Sequence, residues 1–127
     1  MSDLTSISPF FIVANLHHSV SFYVDKLGFT LQYMGPEEAP YFAMINRGPV
    51  SLMLKSSGQA MPNYTRYNWA RWDAFISITD PGALYEEYRA AGVVFNQHLQ
   101  DDADGLLGFE VIDADDYILF FGRPKAY

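Results

Sequence analysis

The chain has 127 residues, 8 Lys and Arg against 15 Asp and Glu for a net charge of −7, and no cysteine. That length suits one domain with its own core and is short for two. The charge repels phosphate backbones and anionic surfaces, so nucleic acid is not an expected partner; the lack of cysteine excludes disulfides and thiolate metal sites and makes a reducing compartment the default. Half the residues are apolar, and 10 Phe, 9 Tyr and 2 Trp must be packed or line something. No apolar run approaches the roughly 18 residues of a membrane span, and "MSDLTSISPF" is not a basic-then-apolar leader, so we expect a cytoplasmic protein with no membrane partner.

In chain order, an apolar run at about 7–14 predicts the first strand. Asn15 then caps a helix whose Leu16, Val20, Tyr23, Val24 and Leu27 share one face, and Gly28 ends it. Strands follow at about 29–35, 41–46 and 50–55. The segment 56–71, "SSGQAMPNYTRYNWAR", lacks a period and carries Ser, Gly and Pro, which marks a connector. A strand at about 73–79 leads to a helix capped by Asp80 with Pro81 in its first turn; it buries Leu84, Tyr88 and Ala91 and stops at Gly92. Strands at about 93–98, 107–112 and 117–122 complete the chain.

The order is strand, helix, three strands, twice over. A shift of 64 lays Phe75, Ile76 and Gly92 on Phe11, Ile12 and Gly28. We therefore expect an α+β protein, a single domain over 1–127, built of two βαβββ modules at about 6–55 and 72–123.

Three stretches point to a family. They are "VANLHHSVSFYVDKLGF" (13–29) with Ser19, Phe22, Tyr23 and "LGF", "DPGALYEEYRAAGV" (80–93), and "GFEVIDADDYILFFG" (108–122). In order and spacing they resemble the vicinal oxygen chelate superfamily of glyoxalase I, extradiol dioxygenases, fosfomycin-resistance enzymes and bleomycin-resistance proteins, and the resemblance covers nearly the whole chain. The third departs from the family's Asp-Pro-Asp-Gly turn with Ala114 and Asp116. The resemblance implies curved mixed sheets around a cavity, the glyoxalase/bleomycin-resistance fold, and a homodimer with sites at or near the subunit interface.

In that fold helices cover one face of each sheet and the other surrounds the site, so strand alternation sorts the residues. Phe11, Val13, Leu52, Leu54, Ala74, Ile76, Ile78, Phe109, Val111, Leu119 and Phe121 fit the helix side. Their alternates include Ser8, Phe10, Ile12, Tyr41, Ala43, Ser51, Met53, Lys55, Asp73, Phe75, Ser77, Glu110, Ile118 and Phe120. Metal-dependent relatives place His, Gln or Glu at four related points, which fall here on Ser8, Met53, Asp73 (or Trp72, with one residue of slack) and Phe120. A phenyl ring has no lone pair to donate and a thioether suits hard ions poorly, so one carboxylate would be left to hold the ion. We expect no metal and no cofactor.

The expected ligand-binding set is Ser8, Phe10, Tyr41, Met53, Trp72, Asp73, Phe75, Glu110 and Phe120, lining a pocket for a small aromatic or cationic molecule. Asp73 and Glu110 on an inner face either titrate high through desolvation and orient the ligand, or form ion pairs with Lys55, Arg71 or another chain's arginine. The alternative is a lyase, isomerase or dioxygenase-type enzyme with Asp73 or Glu110 as base or metal ligand. Tyr64, Tyr67, Trp69 and Trp72, interleaved with Arg66 and Arg71, can stack on a planar or cationic ligand or pack as a loop or subunit contact. His17 and His18 fit an ordinary exposed helix start and His98 a solvated strand edge. "DDADG" (101–105) fails as a calcium loop because Val111 falls where the bidentate Glu is needed, and the sequon "NYT" (63–65) means little without a leader.

Overall fold

The computed structural model describes residues 3–64, 66–102 and 105–125; Thr65 of the sequon and Ala103 and Asp104 of the acidic run lie outside them. The first half holds β1 (Phe10–Val13), α1 (Leu16–Ser21), β2 (Thr30–Gly35), β3 (Phe42–Arg47) and β4 (Val50–Ser56). The second holds β5 (Ala74–Ser77), α2 (Pro81–Ala90), β6 (Phe95–Asp101), β7 (Leu106–Ile112) and β8 (Ile118–Pro124). Each half is a four-stranded mixed sheet, ordered β1-β4-β3-β2 and β5-β8-β7-β6, with its first strand parallel to its last. This is the expected pair of βαβββ modules. No helix is long and apolar enough to cross a membrane.

Both helices start as their caps require: Asn15 accepts from the His18 N–H and Asp80 from that of Ala83. The first differs in its second half. After Ser21 it widens into a π-helical segment, Phe22–Lys26, which keeps Tyr23 and Leu27 fully buried and leaves Val24 only partly so.

Two details of the predicted faces are corrected. The third strand begins at Phe42, not at Tyr41, and its Ala43 pairs with Leu54 on the core side, so Phe42 and Met44 take the open face instead. The repeat is also offset by one residue at the first strands. Phe10 lies opposite Met53 and Phe75 opposite Phe120, so Phe10 and Phe75 correspond, while buried Phe11 and open Phe75 lie on opposite faces. A shift of 64 holds at Gly28 and Gly92 and fails at the strands because a single residue reverses every side chain.

The helix-side faces of both sheets share one core, in which Phe11, Val13, Tyr23, Ile45 and Leu54 join Tyr88, Phe109, Leu119 and Phe121. Buried polar contacts fix one half on the other. In the turn between β7 and β8, Asp113 accepts from the Tyr23 hydroxyl at 2.5 Å and from the N–H groups of Asp115 and Tyr117. Asp115 accepts from the Ser19 hydroxyl at 2.5 Å and from the Ala14 N–H. Tyr117 stacks on Phe11 at 4.2 Å between ring centres, and its hydroxyl meets both the N–H and the carbonyl of Ile12. On the far side Arg47 grips Glu87 and the Leu27 carbonyl, which the Tyr88 hydroxyl also reaches. Asp116 adopts the left-handed φ of 70° that the turn needs and that Asp tolerates better than most residues.

Burial outweighs the three donors and, with nearby Asp115, pushes Asp113 up to about 6; the same burial holds Tyr23 well above its usual value. A carboxyl that binds its proton more tightly when folded favours the fold at low pH, and that advantage is lost as pH rises through about 6. Relative to Asp113→Asn, the unaltered chain should therefore lose roughly 1–2 kcal/mol of stability between about pH 5 and 7.5. Urea unfolding at both values checks this; parallel pH profiles of the two proteins would contradict it.

Candidate functional site

The nine expected site residues divide between the two sheets. On the first, Phe10 is 53 % exposed opposite half-buried Met53, the Ser8 hydroxyl meets that of Ser51 at 2.5 Å, and Lys55 Nζ lies 5.6 Å from the centre of the half-exposed Tyr41 ring. On the second, Trp72, Phe120 and Phe75 form a cluster of three mutually touching rings, with centres 4.3 Å apart from Trp72 to Phe120, 5.1 Å from Phe120 to Phe75 and 5.6 Å from Trp72 to Phe75. Phe75 remains 43 % exposed while Phe120 is 1 % exposed. Room for Phe120 comes from two glycines. A Cβ at Gly108 would lie 2.6 Å from its ring and one at Gly122 2.5 Å, so no larger residue fits at either position with the ring in place.

Glu110 lies opposite Phe120 in the ladder between β7 and β8 and is 1 % exposed. Both its oxygens are taken. Oε1 accepts from Arg71 Nε and Asn96 Nδ2, and Oε2 from Arg71 Nη2 at 2.7 Å and Trp72 Nε1 at 2.9 Å. Asp73 Oδ2 accepts from the Ile118 N–H at 2.8 Å and pairs with Arg66 at 3.0 Å. Of the two roles open to these acids, each is held in an ion pair, Glu110 with Arg71 and Asp73 with Arg66. The connector supplies both arginines, so this segment is fastened to the open face of the second sheet. Its Pro62, Asn63, Tyr64 and Arg66 also border a groove with Ile118.

Within one chain the expected residues do not line a single cavity. Ser8, Asp73 and Phe75 line a groove of about 590 Å³ at the seam between the halves, together with Ile7, Ser51 and Ser77. Trp72 and Glu110 belong to a second, also about 590 Å³, with Trp69, Arg71, Gln97, Gln100 and Asp102. Tyr41 borders a third of about 280 Å³ beside Tyr33 and Phe42. Phe10, Met53 and Phe120 border none of these three. The other aromatics of the connector are outward: Tyr67 and Trp69 stack on each other at 4.9 Å, and Trp69 is 80 % exposed.

Sequence reasoning gave Gln97 and Gln100 no place in the site: the strand was drawn to end at 98 and runs to Asp101, which brings in Gln100, while Asp102, just beyond it, was weighed only within the rejected calcium loop. It also gave Asp113 and Asp115 no role beyond the turn motif, although an acid pair beside two strand ends is a signal of buried hydrogen bonding. His98 sits at an exposed strand position and meets the Tyr85 hydroxyl at 2.8 Å.

The donors at the four points that hold metal in relatives do not fit an ion. Ser8 and Asp73 are already bonded to protein groups, and Met53 and Phe120 offer a thioether and a ring. Among the described residues, no group of three or more His, Cys, Asp or Glu is placed to hold one elsewhere.

Removing the charge of Glu110 strands the part-buried Arg71 and loosens the connector. Glu110→Gln should cost about 2–4 kcal/mol in urea unfolding and speed tryptic cleavage at Arg66 and Arg71. Unchanged stability and proteolysis would mean that the pair does not hold the connector.

Residues 6–121 match the model of the Glyoxalase/Bleomycin resistance protein/Dioxygenase superfamily. No match is found among curated proteins. Solved structures are similar. A glyoxalase/bleomycin resistance protein/dioxygenase from Alicyclobacillus acidocaldarius superposes with a TM-score of 0.76 at 19 % identity over all of both chains. TioX from Micromonospora sp. ML1 gives 0.75 at 20 % identity, covering 94 % of this chain and 99 % of that one. The bleomycin-binding protein from bleomycin-producing Streptomyces verticillus, solved with copper(II)-bleomycin, gives 0.71 at 26 % identity over 95 % and 97 %.

Proposed function

Since the chain belongs to the Glyoxalase/Bleomycin resistance protein/Dioxygenase superfamily, whose fold carries many chemistries, we propose from its site that it is a metal-independent binding protein that sequesters a small aromatic or cationic molecule. The observation that carries this reading is Phe120. Where metal-dependent relatives place a ligand, this chain has a ring packed against both Trp72 and Phe75 and seated over two glycines. Such a cluster offers a stacking surface through Phe75 and Trp72 and no lone pair for an ion. The bleomycin-binding relative, which holds a small molecule, supports the same class of function. Aromatic contact is the stronger half of the proposal, because the two acids that would attract a cation are already paired with arginines. The engagement of both its oxygens counts against Glu110 as a general base, which needs a lone pair within reach of a substrate proton.

The proposal includes a cytoplasmic homodimer. Phe10, Tyr33, Tyr41 and Phe75 leave apolar area on both open faces, and a second copy of the chain can close the grooves that one chain leaves separate. Sedimentation of the unaltered chain should give twice the monomer mass, and Phe10→Glu should return it to the monomer; a monomer in both cases would remove this part.

Binding is tested by thermal shift against planar aromatic molecules on tag-free protein. A ligand at about 100 times its Kd stabilises the fold by about 2.7 kcal/mol, a shift of several degrees at this size. Phe75→Ala should weaken that ligand about tenfold or more with little change in the unliganded melting temperature. Elemental mass spectrometry should find well under one metal ion per chain; a full equivalent of tightly bound metal would overturn the proposal.

A further inference from the structure

We infer that the molecule stacked on Phe75 carries a short apolar chain, and that this chain enters a second cleft on the core side of the seam between the two modules. The inference deepens the small-molecule reading above and rests on it.

Two grooves meet along that seam. The one bordered by Phe75 also holds Ser8 and Ser51. The other, of about 200 Å³, lies towards α2 and is walled by Phe29, Ile78, Leu84, Tyr88 and Phe121. They share Pro49, Val50, Ile76 and Ser77, the first two from one module and the last two from the other. Among the described residues no strand ladder crosses this line, since each sheet is hydrogen-bonded within its own module. The boundary between the grooves is therefore made by side chains, with Pro49 and Ser77 exposed and Val50 and Ile76 half-buried. Parting them breaks no strand pairing.

The second cleft selects by what it lacks. Its side-chain wall is carbon apart from Ser77, the Tyr88 hydroxyl, which donates to the Leu27 carbonyl, and the Arg47 guanidinium, which is paired with Glu87. A charged or hydroxylated substituent placed between Leu84 and Phe121 would lose its water without gaining a partner, whereas each buried methylene is favourable. An apolar cavity of about 150 Å³ takes a benzene ring, so about 200 Å³ suits a butyl chain or one further ring. The proposed dimer agrees with this direction. A second copy laid over the open faces closes the outer side of the Phe75 groove and leaves the seam as the way for a substituent to extend.

Phenol, 4-ethylphenol, 4-butylphenol and the anion of 4-(4-hydroxyphenyl)butanoic acid test this on the full chain, by calorimetric titration and by the methyl signals of ¹³C-labelled protein. Affinity should rise about fourfold per methylene, roughly fifteenfold from 4-ethylphenol to 4-butylphenol, and the Ile78 and Leu84 methyl signals should move with the chain. The carboxylate should bind about tenfold or more weakly than 4-butylphenol. Ile78→Phe, which fills the cleft, should abolish the gain with chain length, and Ser77→Phe, at an exposed position on the shared boundary, should do the same. Phe75→Ala should weaken all three phenols about tenfold and keep the gain. A gain that survives both filling variants, or chains that leave the Ile78 and Leu84 signals unmoved, overturn the cleft as the site of the chain. A carboxylate that binds as tightly as the butyl compound overturns its apolar character. Each of these outcomes leaves binding at Phe75 standing. If no phenol binds, the inference falls, and the reading beneath it falls too only when the planar aromatics of the thermal-shift series also fail to bind.

Discussion

The carboxylates of Asp113 and Asp115 are the constraint on which the arrangement depends. Each leaves the turn between β7 and β8 and ends on the other half of the chain, Asp113 on Tyr23 and Asp115 on Ser19 and the Ala14 N–H. Burying an acid is costly unless donors surround it, and here donors from two modules are needed to satisfy one turn. Docking of the halves therefore completes the hydrogen bonding that the turn begins through the N–H groups of Asp115 and Tyr117. The stack of Tyr117 on Phe11 and the shared core add the area that makes docking favourable, and the acids fix its register.

Docking through the helix-side faces leaves the two open faces to be dealt with separately, and the chain treats them differently. The second sheet receives the connector, whose arginines cap Asp73 and Glu110 and bring Trp72 down on Phe120. The first keeps Phe10, Tyr33 and Tyr41 at least half exposed. Two modules of common plan thus carry unlike surfaces, one covered in part by the connector with Phe75 still open, the other apolar and uncovered.

The pattern of the sequence revealed most of the architecture. Caps at Asn15 and Asp80, glycine stops at Gly28 and Gly92, and uniform apolar alternates such as Leu52 with Leu54 are local signals that tertiary structure had no reason to override. Phe120 was placed on the open face by the same alternation. What escaped depends on contacts distant in the chain. Arg71 was among the cations weighed for Glu110, but nothing near Asp73 names Arg66, and nothing near Ser19 names Asp115. The Ala43 face was misjudged because Tyr41, aromatic like its neighbour Phe42, extended the apparent strand by one residue, and one residue reverses parity. Convergence of the nine site residues was inferred from each sheet's own periodicity, which says nothing about how two sheets sit together.

The satisfied state of Glu110 bears on chemistry as well as stability. A carboxylate with both oxygens engaged by four donors would have to surrender donors such as Arg71 before a substrate could reach it. The arrangement thus works against proton transfer while holding its neighbours still: Trp72 is tied through its indole N–H, Arg71 through both sides of its guanidinium, and Gln97 through Arg71. Side chains held in this way need little ordering on association, which is the property the proposed retention of a small molecule requires.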